Sequence, residues 1–568
     1  MASALSDPAR PEFDQTGTMR PISRRLFLAG SAAVVVTACS GGSDASSPTA
    51  TDTVTDTTTP TDAAEATSTT ATTTSTTTSE PAVSPAAAPP LDLSADPFTL
   101  GVASGDPSDG GVVLWTRLAP EPLAGGGMPE TDVDIAWDIA RDPAFTDLWA
   151  SGIVTALAAH GHSVHLQAEV EPGWWYYRFR AGTWTSPVGR TQPAPAMTAE
   201  PAQVRFVSAS CQNYQDGFYT AHADIAAQEP DFVAFLGDYI YESGAYPVGQ
   251  DGVVRSHEAD EPKDLVAYRN RYALYKSDPH LQAAHAACPW FVIWDDHEVE
   301  NNYAESTPQD PADTDGFVAR RQQAYQAWWE HQPVAMAAPP EQGEYRIYRA
   351  ARWGSLLDVA LLDGRQYRSD QACGDRTLSL DPPCPETFDA ARTMVGDEQE
   401  QWLLDQLAGH TAAWTVIAQQ TVFGDTTLGG AILNYDQWDG YPADRSRIVD
   451  ALDPARNTIV LTGDIHFAGI GTIRQGERVT GTAVGVEFVA TSIASGGLVN
   501  PAVTDVVKSI PDILDVELEH RGYILHTVTA DEWLAEYRMV DTVKVPDAAM
   551  FVHATYRVTA GVNAVAFV

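Results

Sequence analysis

Phe232-Val233-Ala234-Phe235-Leu236 runs directly into Gly237-Asp238-Tyr239-Ile240-Tyr241-Glu242. Five apolar residues in a row predict a buried strand, and the polar residues that end it cannot be there for packing. The same pattern recurs on either side. Val204–Ala209 ends in Ser210-Cys211-Gln212-Asn213-Tyr214, and Phe291–Trp294 ends in Asp295-Asp296-His297-Glu298, followed by Asn301-Asn302. Leu356–Leu362 ends in Asp363-Gly364-Arg365-Gln366-Tyr367-Arg368, and Ile459–Thr462 in Gly463-Asp464-Ile465-His466. Trp414–Ala418 is a further buried strand. Helical patterns at 217–228, 263–276, 317–330 and 397–407 alternate with them. Strands alternating with helices predict an α/β domain over 202–545. In open α/β sheets ligands bind beyond the carboxyl ends of strands. Those ends would gather a thiol, carboxylates, a phenol and imidazoles, which is the chemistry of a metal site.

Outward from that domain the rhythm changes. Residues 96–195 show short alternating runs, such as Gly111–Trp115, Val133–Trp137 and Trp174–Phe179, separated by turns at Asp106-Pro107, Asp142-Pro143 and Pro172-Gly173. These predict a small immunoglobulin-like β-sandwich. Residues 191–201 read as a linker. The chain returns to strands near its end, at Tyr523–Val528, Leu534–Val540 and Phe551–Val558, with 546–568 as a C-terminal strand tail.

The 568 residues carry 34 Lys+Arg against 76 Asp+Glu, a formal charge of −42. Binding to nucleic acid phosphates needs clustered basic residues, so no nucleic-acid-binding surface is expected. Near the start, Ser23-Arg24-Arg25-Leu26-Phe27-Leu28 precedes a modest apolar run, Ala29 to Ala38. Paired arginines there predict twin-arginine export of a folded protein through its translocase. Val36-Thr37-Ala38-Cys39 resembles a lipobox, in which Cys39 is lipidated; cleavage after Ala38 with Cys39 incidental is the alternative. Residues 1–39 are therefore expected as a signal peptide, with Met1 or Met19 as its start. The product would be exported and held to the outer face of the bacterial cytoplasmic membrane or to the cell surface by lipid alone. No apolar run is long enough to span a bilayer. Residues 40–90 hold no Lys, Arg or aromatic residue, and Thr supplies 16 of the 30 residues from 51 to 80. That composition predicts a disordered stalk over 40–95. Of the five cysteines, Cys373 and Cys384 lie 11 residues apart in a Pro/Gly-rich loop. Outside the cytoplasm a disulfide is expected between them, with a loop of two free thiols as the alternative. Cys288 is expected to be buried and inert.

The strand-end set resembles the calcineurin-like metallophosphoesterases, and within them the PhoD-type alkaline phosphatase/phosphodiesterase family. Its most specific parts are Phe98–Pro107, the Cys211 segment, Gly237–Glu242, Trp294–Tyr303 and Gly463–His466. Gly364 stands where the family pattern has Thr. The resemblance implies an α-β-β-α sandwich and a site of ferric iron (Fe3+) and calcium (Ca2+). By that analogy Cys211, Asp238, Tyr241 and His466 hold iron, and Asp238 bridges to calcium. Asp464 and either Asp296 or Asn301 complete the calcium site, Asp296 occupying the place of the Asn in the wider family's Gly-Asn-His motif. The implied chemistry activates a hydroxide for in-line attack on the phosphorus of a mono- or diester. His297 would touch phosphate or protonate the leaving group, unless it serves as a supporting hydrogen bond. Arg365 would clamp phosphate, or form a structural ion pair with Asp363 or another acid. Trp438-Asp439-Gly440-Tyr441 is either a substrate wall or aromatic core. Two other functions are compatible with parts of the chain: a phospholipase D-type phosphodiesterase using the same site, and a surface adhesion protein on a Thr-rich stalk. The ligand set at the strand ends favours hydrolysis over adhesion.

Overall fold

The structure is a computed structural model that describes residues 83–377, 379–497 and 501–568. The twin-arginine segment, Cys39 and the stalk up to residue 82 lie outside the described residues. Among the described residues, ten strands form one mixed sheet, in the spatial order Val565–Phe567, Met550–Thr559, Glu532–Val540, Arg521–Val528, Val204–Ala209, Phe232–Leu236, Pro289–Ile293, Val102–Ser108, Gly111–Arg117 and Ser163–Glu169. Seven strands form a second, in the order Arg349–Trp353, Leu357–Leu361, Trp414–Ala418, Asn457–Thr462, Thr482–Val489, Ala468–Gln475 and Ile513–Glu517.

Side-chain alternation explains the layering. In the seven-stranded sheet Val359, Leu361, Val416, Ala418, Ile459 and Leu461 face the ten-stranded sheet. Their neighbours Ala360, Ile417 and Val460 face outward, onto Leu403 of the helix Asp397–Gly409 and Ile448 of the helix Pro442–Ala451. Trp533 and Trp414 meet across the inter-sheet core at 5.5 Å. On the far side of the ten-stranded sheet, Trp290 stacks on His285 of the helix Pro279–Ala287 at 3.9 Å and lies 5.9 Å from His222 of the helix Thr220–Gln228. The order of layers is helix, sheet, sheet, helix. With both faces of each central strand covered, uninterrupted apolar runs are what the strands require.

The N-terminal region, expected as a small immunoglobulin-like β-sandwich, is joined to the ten-stranded sheet. A third sheet is built from Leu148–Ala156, Val133–Ala140, Trp175–Ala181, Trp184–Thr185 and Gly189–Thr191. Its Val133, Ile135, Trp175, Tyr177 and Phe179 pack on Val102, Val112, Leu114 and Val164, so two β-layers do face each other. The second layer, however, is the edge of the ten-stranded sheet: Ser104 pairs in parallel with Pro289. Gly105 and Asp106 explain why this junction forms. A Cβ on Gly105 would lie 2.3 Å from the Pro333 carbonyl, and the Asp106 carboxylate pairs with Arg349 while accepting from the Ala335 N–H. Part of the span read as stalk also docks here, since the Ala86 N–H donates to Ser151, Arg180 donates to the Ala86 carbonyl, and Leu91 packs on the small sheet's core. Among the described residues no helix is long and apolar enough to cross a membrane.

Candidate metal centre and active site

Three neighbouring parallel strands of the ten-stranded sheet, Val204–Ala209, Phe232–Leu236 and Pro289–Ile293, end beside three of the seven-stranded sheet, Leu357–Leu361, Trp414–Ala418 and Asn457–Thr462. The loops that leave them are laced together. The Cys211 and Gln212 N–H groups donate to the Gly237 and Asp238 carbonyls, and the Gln212 side chain donates to the Tyr239 carbonyl. Glu298 accepts from the backbone N–H groups of Asp238, Tyr239 and Asp295, which joins the second and third loops. Gly237 has to be glycine, because a Cβ there would meet the Asp295 backbone nitrogen at 2.7 Å and φ is +104°. Cys211, Asp238, Asp464 and His466 all adopt left-handed backbone, with φ between 56° and 60°. Non-glycine residues pay for that conformation and keep it where the surroundings over-determine it, commonly at ligand-holding sites.

These turns bring the predicted residues together. Ligand atoms of Cys211, Asp238 and His466 lie within 4.8 Å of one another; so do those of Asp238, Asp296 and His297, and those of Asp295, Asp296 and Asp464. The Tyr241 hydroxyl donates to Asp238 Oδ2 at 2.8 Å, lies 2.9 Å from His466 Nε2 and accepts from Ser495. His466 Nδ1 is bonded to the Gly496 carbonyl, which makes Nδ1 the protonated nitrogen and leaves the Nε2 lone pair facing the cluster. His297 Nδ1 pairs with Glu242 at 2.7 Å. The Asn301 side-chain amide donates to Gln309, and its backbone N–H donates to Glu242. Its neighbour Asn302 donates from the backbone to Asp296 Oδ2 instead.

Arg365 is fully buried, and its guanidinium is taken up by carboxylates: Asp295, Asp436 and Asp464 accept from its Nε, Nη1 and Nη2, with Asp296 at 3.5 Å. A phosphate clamp would have to release these bonds. The geometry matches the structural ion pair, made with several acids rather than with Asp363. Trp438 is core, 5.1 Å from Phe423 with its indole donating to Gln419, and Asp439 and Tyr441 are buried too. Cys373 and Cys384 are joined by a disulfide, Cα to Cα 5.8 Å. Cys288 is free and buried. Glu242, Glu298, Asp436 and Ser495 were given no role from the sequence. The first two stand inside the quoted motifs, and a buried acid immediately beside a ligand was the available signal.

The electrostatics call for cations. Burial and then the Asp238 charge push the Cys211 thiol up, and burial with Asp238 and Cys211 does the same to the Tyr241 phenol. Burial lifts Asp464 to about 6 against the pull of Arg365, with Asp436, Asp296 and Asp238 adding to the rise. Asp295 is raised in the same way by burial and three neighbouring acids, although Arg365 opposes it. Burial opposes charge on His297, but Glu242, Asp238 and Asp296 outweigh it and hold the imidazolium. Asp295 Oδ2 and Asp296 Oδ1 are buried without a hydrogen-bond partner among the described residues. Buried like charges and orphaned oxygens are costly unless a metal, another cation, a proton or water compensates them. A thiol, a phenol, an imidazole and a carboxylate on one side suit a transition metal, and the oxygen-only set on the other suits a hard cation.

Comparison with known proteins agrees with this geometry. Residues 206–537 match the PhoD-like phosphatase family, and residues 83–195 match the PhoD-like phosphatase N-terminal domain. The chain is 44% identical over 477 residues to alkaline phosphatase D of Bacillus subtilis (strain 168), covering 82% of this chain and 81% of that protein. A solved structure of PhoD superposes with a TM-score of 0.81 at 42% identity, covering 84% of this chain and 93% of that one. The chain belongs to the PhoD-like phosphatase family and is a phosphatase.

Proposed function

We propose that the protein is an exported, lipid-anchored phosphoric ester hydrolase of alkaline phosphatase type with phosphodiesterase activity, working through ferric iron and calcium. The observation that carries this reading is the convergence of Cys211, Asp238 and His466 on one point beside the Asp296–Asp464 carboxylates. Cys211, Asp238, Tyr241 and His466 would hold iron; Asp238, Asp296 and Asp464 would hold calcium, Asp296 being favoured over Asn301 by its place in the cluster. Bound there, such ions would neutralise charge on the phosphoryl oxygens and lower the pKa of an attacking water. Glu242 holds His297 protonated through Nδ1, so that Nε2 can contact the phosphate or give its proton to the leaving oxygen. Arg365 fixes the directions of Asp296 and Asp464 rather than reaching the ester. The paired arginines, Cys39 and the Thr-rich stretch support export and anchoring.

The test is hydrolysis of p-nitrophenyl phosphate and bis(p-nitrophenyl) phosphate by protein purified with its native metals. Both should be turned over. Calcium chelation should abolish activity, and calcium should restore it better than magnesium, which demands tighter octahedral geometry. Active protein containing zinc alone would sink the metal assignment.

A further inference from the structure

The loop that carries the Cys373–Cys384 disulfide reaches the carboxylate cluster through a short chain of hydrogen bonds. The Gln371 side chain donates both to the Asn302 carbonyl and to Asp436 Oδ1, each at 2.8 Å. The Asn302 side chain donates to Asp375 Oδ2 at 2.9 Å. Asn302 is thus gripped from two sides by the loop, and its own backbone N–H donates to Asp296 Oδ2 at 2.6 Å. That bond uses one oxygen of Asp296 and leaves buried Oδ1 without a hydrogen-bond partner among the described residues, its nearest cation being Arg365 Nη2 at 3.5 Å. Asp436, the loop's other contact, is bonded to Arg365 and Arg368.

The loop cannot hold this shape by local preference. Cys373, Gly374 and Asp375 are consecutive left-handed residues, with φ of 59°, 73° and 51°. Asn302, with φ 51°, is left-handed as well. Asn and Asp tolerate that region, but Cys373 stays there only under outside constraint. The disulfide supplies one constraint, and the packing of Cys373 and Cys384 on Ala372, Ile432 and Tyr435 supplies another.

We infer that the segment 371–375, tethered by the disulfide, is a positioning element for Asp296: through Gln371, Asp375 and Asn302 it presents Asp296 Oδ1 to a calcium ion, and opening the disulfide weakens calcium binding. The inference rests on the metal reading above. The opening step is ordinary thiol–disulfide exchange: a dithiol reductant gives two electrons and two protons, the S–S bond breaks, Cys373 and Cys384 become thiols, and the reductant closes its own disulfide. Groups that orient a metal ligand without touching the metal typically account for 10–100-fold in metal affinity.

The experiment is titration of iron-loaded full-length protein, depleted of calcium alone, with calcium chloride by calorimetry, alongside kcat and KM on p-nitrophenyl phosphate. The wild type is compared with the double variant Cys373→Ser/Cys384→Ser and with Gln371→Leu, which keeps the disulfide. Both should raise the calcium Kd about 10-fold or more. Iron content should stay unchanged, and kcat should recover at high calcium. Dithiothreitol should weaken calcium binding by the wild type and have no further effect on the double variant. If the serine variant does not fold, judged by circular dichroism, Gln371→Leu and dithiothreitol treatment of the wild type decide. A calcium Kd within twofold of wild type in the folded variants would overturn the inference and leave the metal reading intact. A wild-type protein that binds no calcium would overturn both.

Discussion

His297 Nδ1 lies 2.7 Å from Glu242 Oε2, with both side chains buried. The second oxygen of Glu242 accepts from the Asn301 N–H, so the carboxylate is fixed at both ends. This dyad gives the imidazole one orientation and reserves Nε2 for the site. Glu242→Gln keeps a hydrogen-bonding group but removes the charge, and should lower kcat by about 10-fold, whereas His297→Ala should lose about 10²-fold or more. Combining the two should cost little beyond His297→Ala alone, and a double-mutant cycle on steady-state kinetics measures that coupling.

Asp238 accepts from Tyr241 and sits in two of the three ligand clusters at the site. Asp238→Asn removes the charge that would separate two cations, so iron content should fall and turnover drop by at least about 10²-fold. Tyr241→Phe removes one ligand and leaves the bridge, so its loss should be smaller. Elemental analysis with turnover on p-nitrophenyl phosphate checks both. An Asp238→Asn protein with full metal content and near-normal turnover would contradict the two-metal site.

Asp138 lies in the small N-terminal sheet, buried, and accepts from Arg178, Arg180 and Ser151. Burial pushes its pKa up, but the bonds from Arg180, Ser151 and Arg178 prevail and hold it below the ordinary value. A carboxylate depressed on folding stabilises fully above its unfolded pKa of about 3.9, and that stability is lost as pH falls through the folded value. Asp138→Asn should therefore cost about 3 kcal/mol near pH 7, the low end for breaking a buried pair, because its arginines are partly exposed. The gap from wild type should narrow below about pH 4. Thermal unfolding across pH measures it.

Trp533 is fully buried, T-shaped against Phe206 at 5.6 Å and stacked near Phe488 at 6.4 Å. It ties the two central sheets. Trp533→Ala should cost about 3–5 kcal/mol. Denaturant unfolding reads the loss directly, and a cost under about 1 kcal/mol would mean the sheets are held elsewhere.

Replacing Arg24 and Arg25 by Lys should leave precursor inside the cell. Cys39→Ser should release or misprocess the protein while leaving kcat unchanged, because every residue of the proposed site lies at or beyond Cys211. Cell fractionation with an activity assay distinguishes these outcomes, and unchanged membrane retention of Cys39→Ser would count against lipidation.

The central strands were legible from local pattern alone. Phe232–Leu236 and Trp414–Ala418 fall where the apolar runs place them, and Leu357–Leu361 differs by a residue at each end. A strand buried on both faces must be apolar throughout, so its polar end stands out, and that marked Cys211, Asp238, Asp296, Asp464 and His466. Elements whose burial depends on distant partners were not legible. The helices Pro279–Ala287 and Pro442–Ala451 are short and lack a strong apolar face of their own, and the strand Thr482–Val489 is shaped by its neighbours in the sheet. Nothing local shows that Val102–Ser108 joins the ten-stranded sheet, because pairing with Pro289–Ile293 spans more than 180 residues of sequence. The uses of Arg365 and Glu242 were tertiary decisions as well. A residue's type names the bonds it can make, but only the meeting of Asp295, Asp436 and Asp464 around one guanidinium, or of Glu242 with His297, determines which bonds it does make.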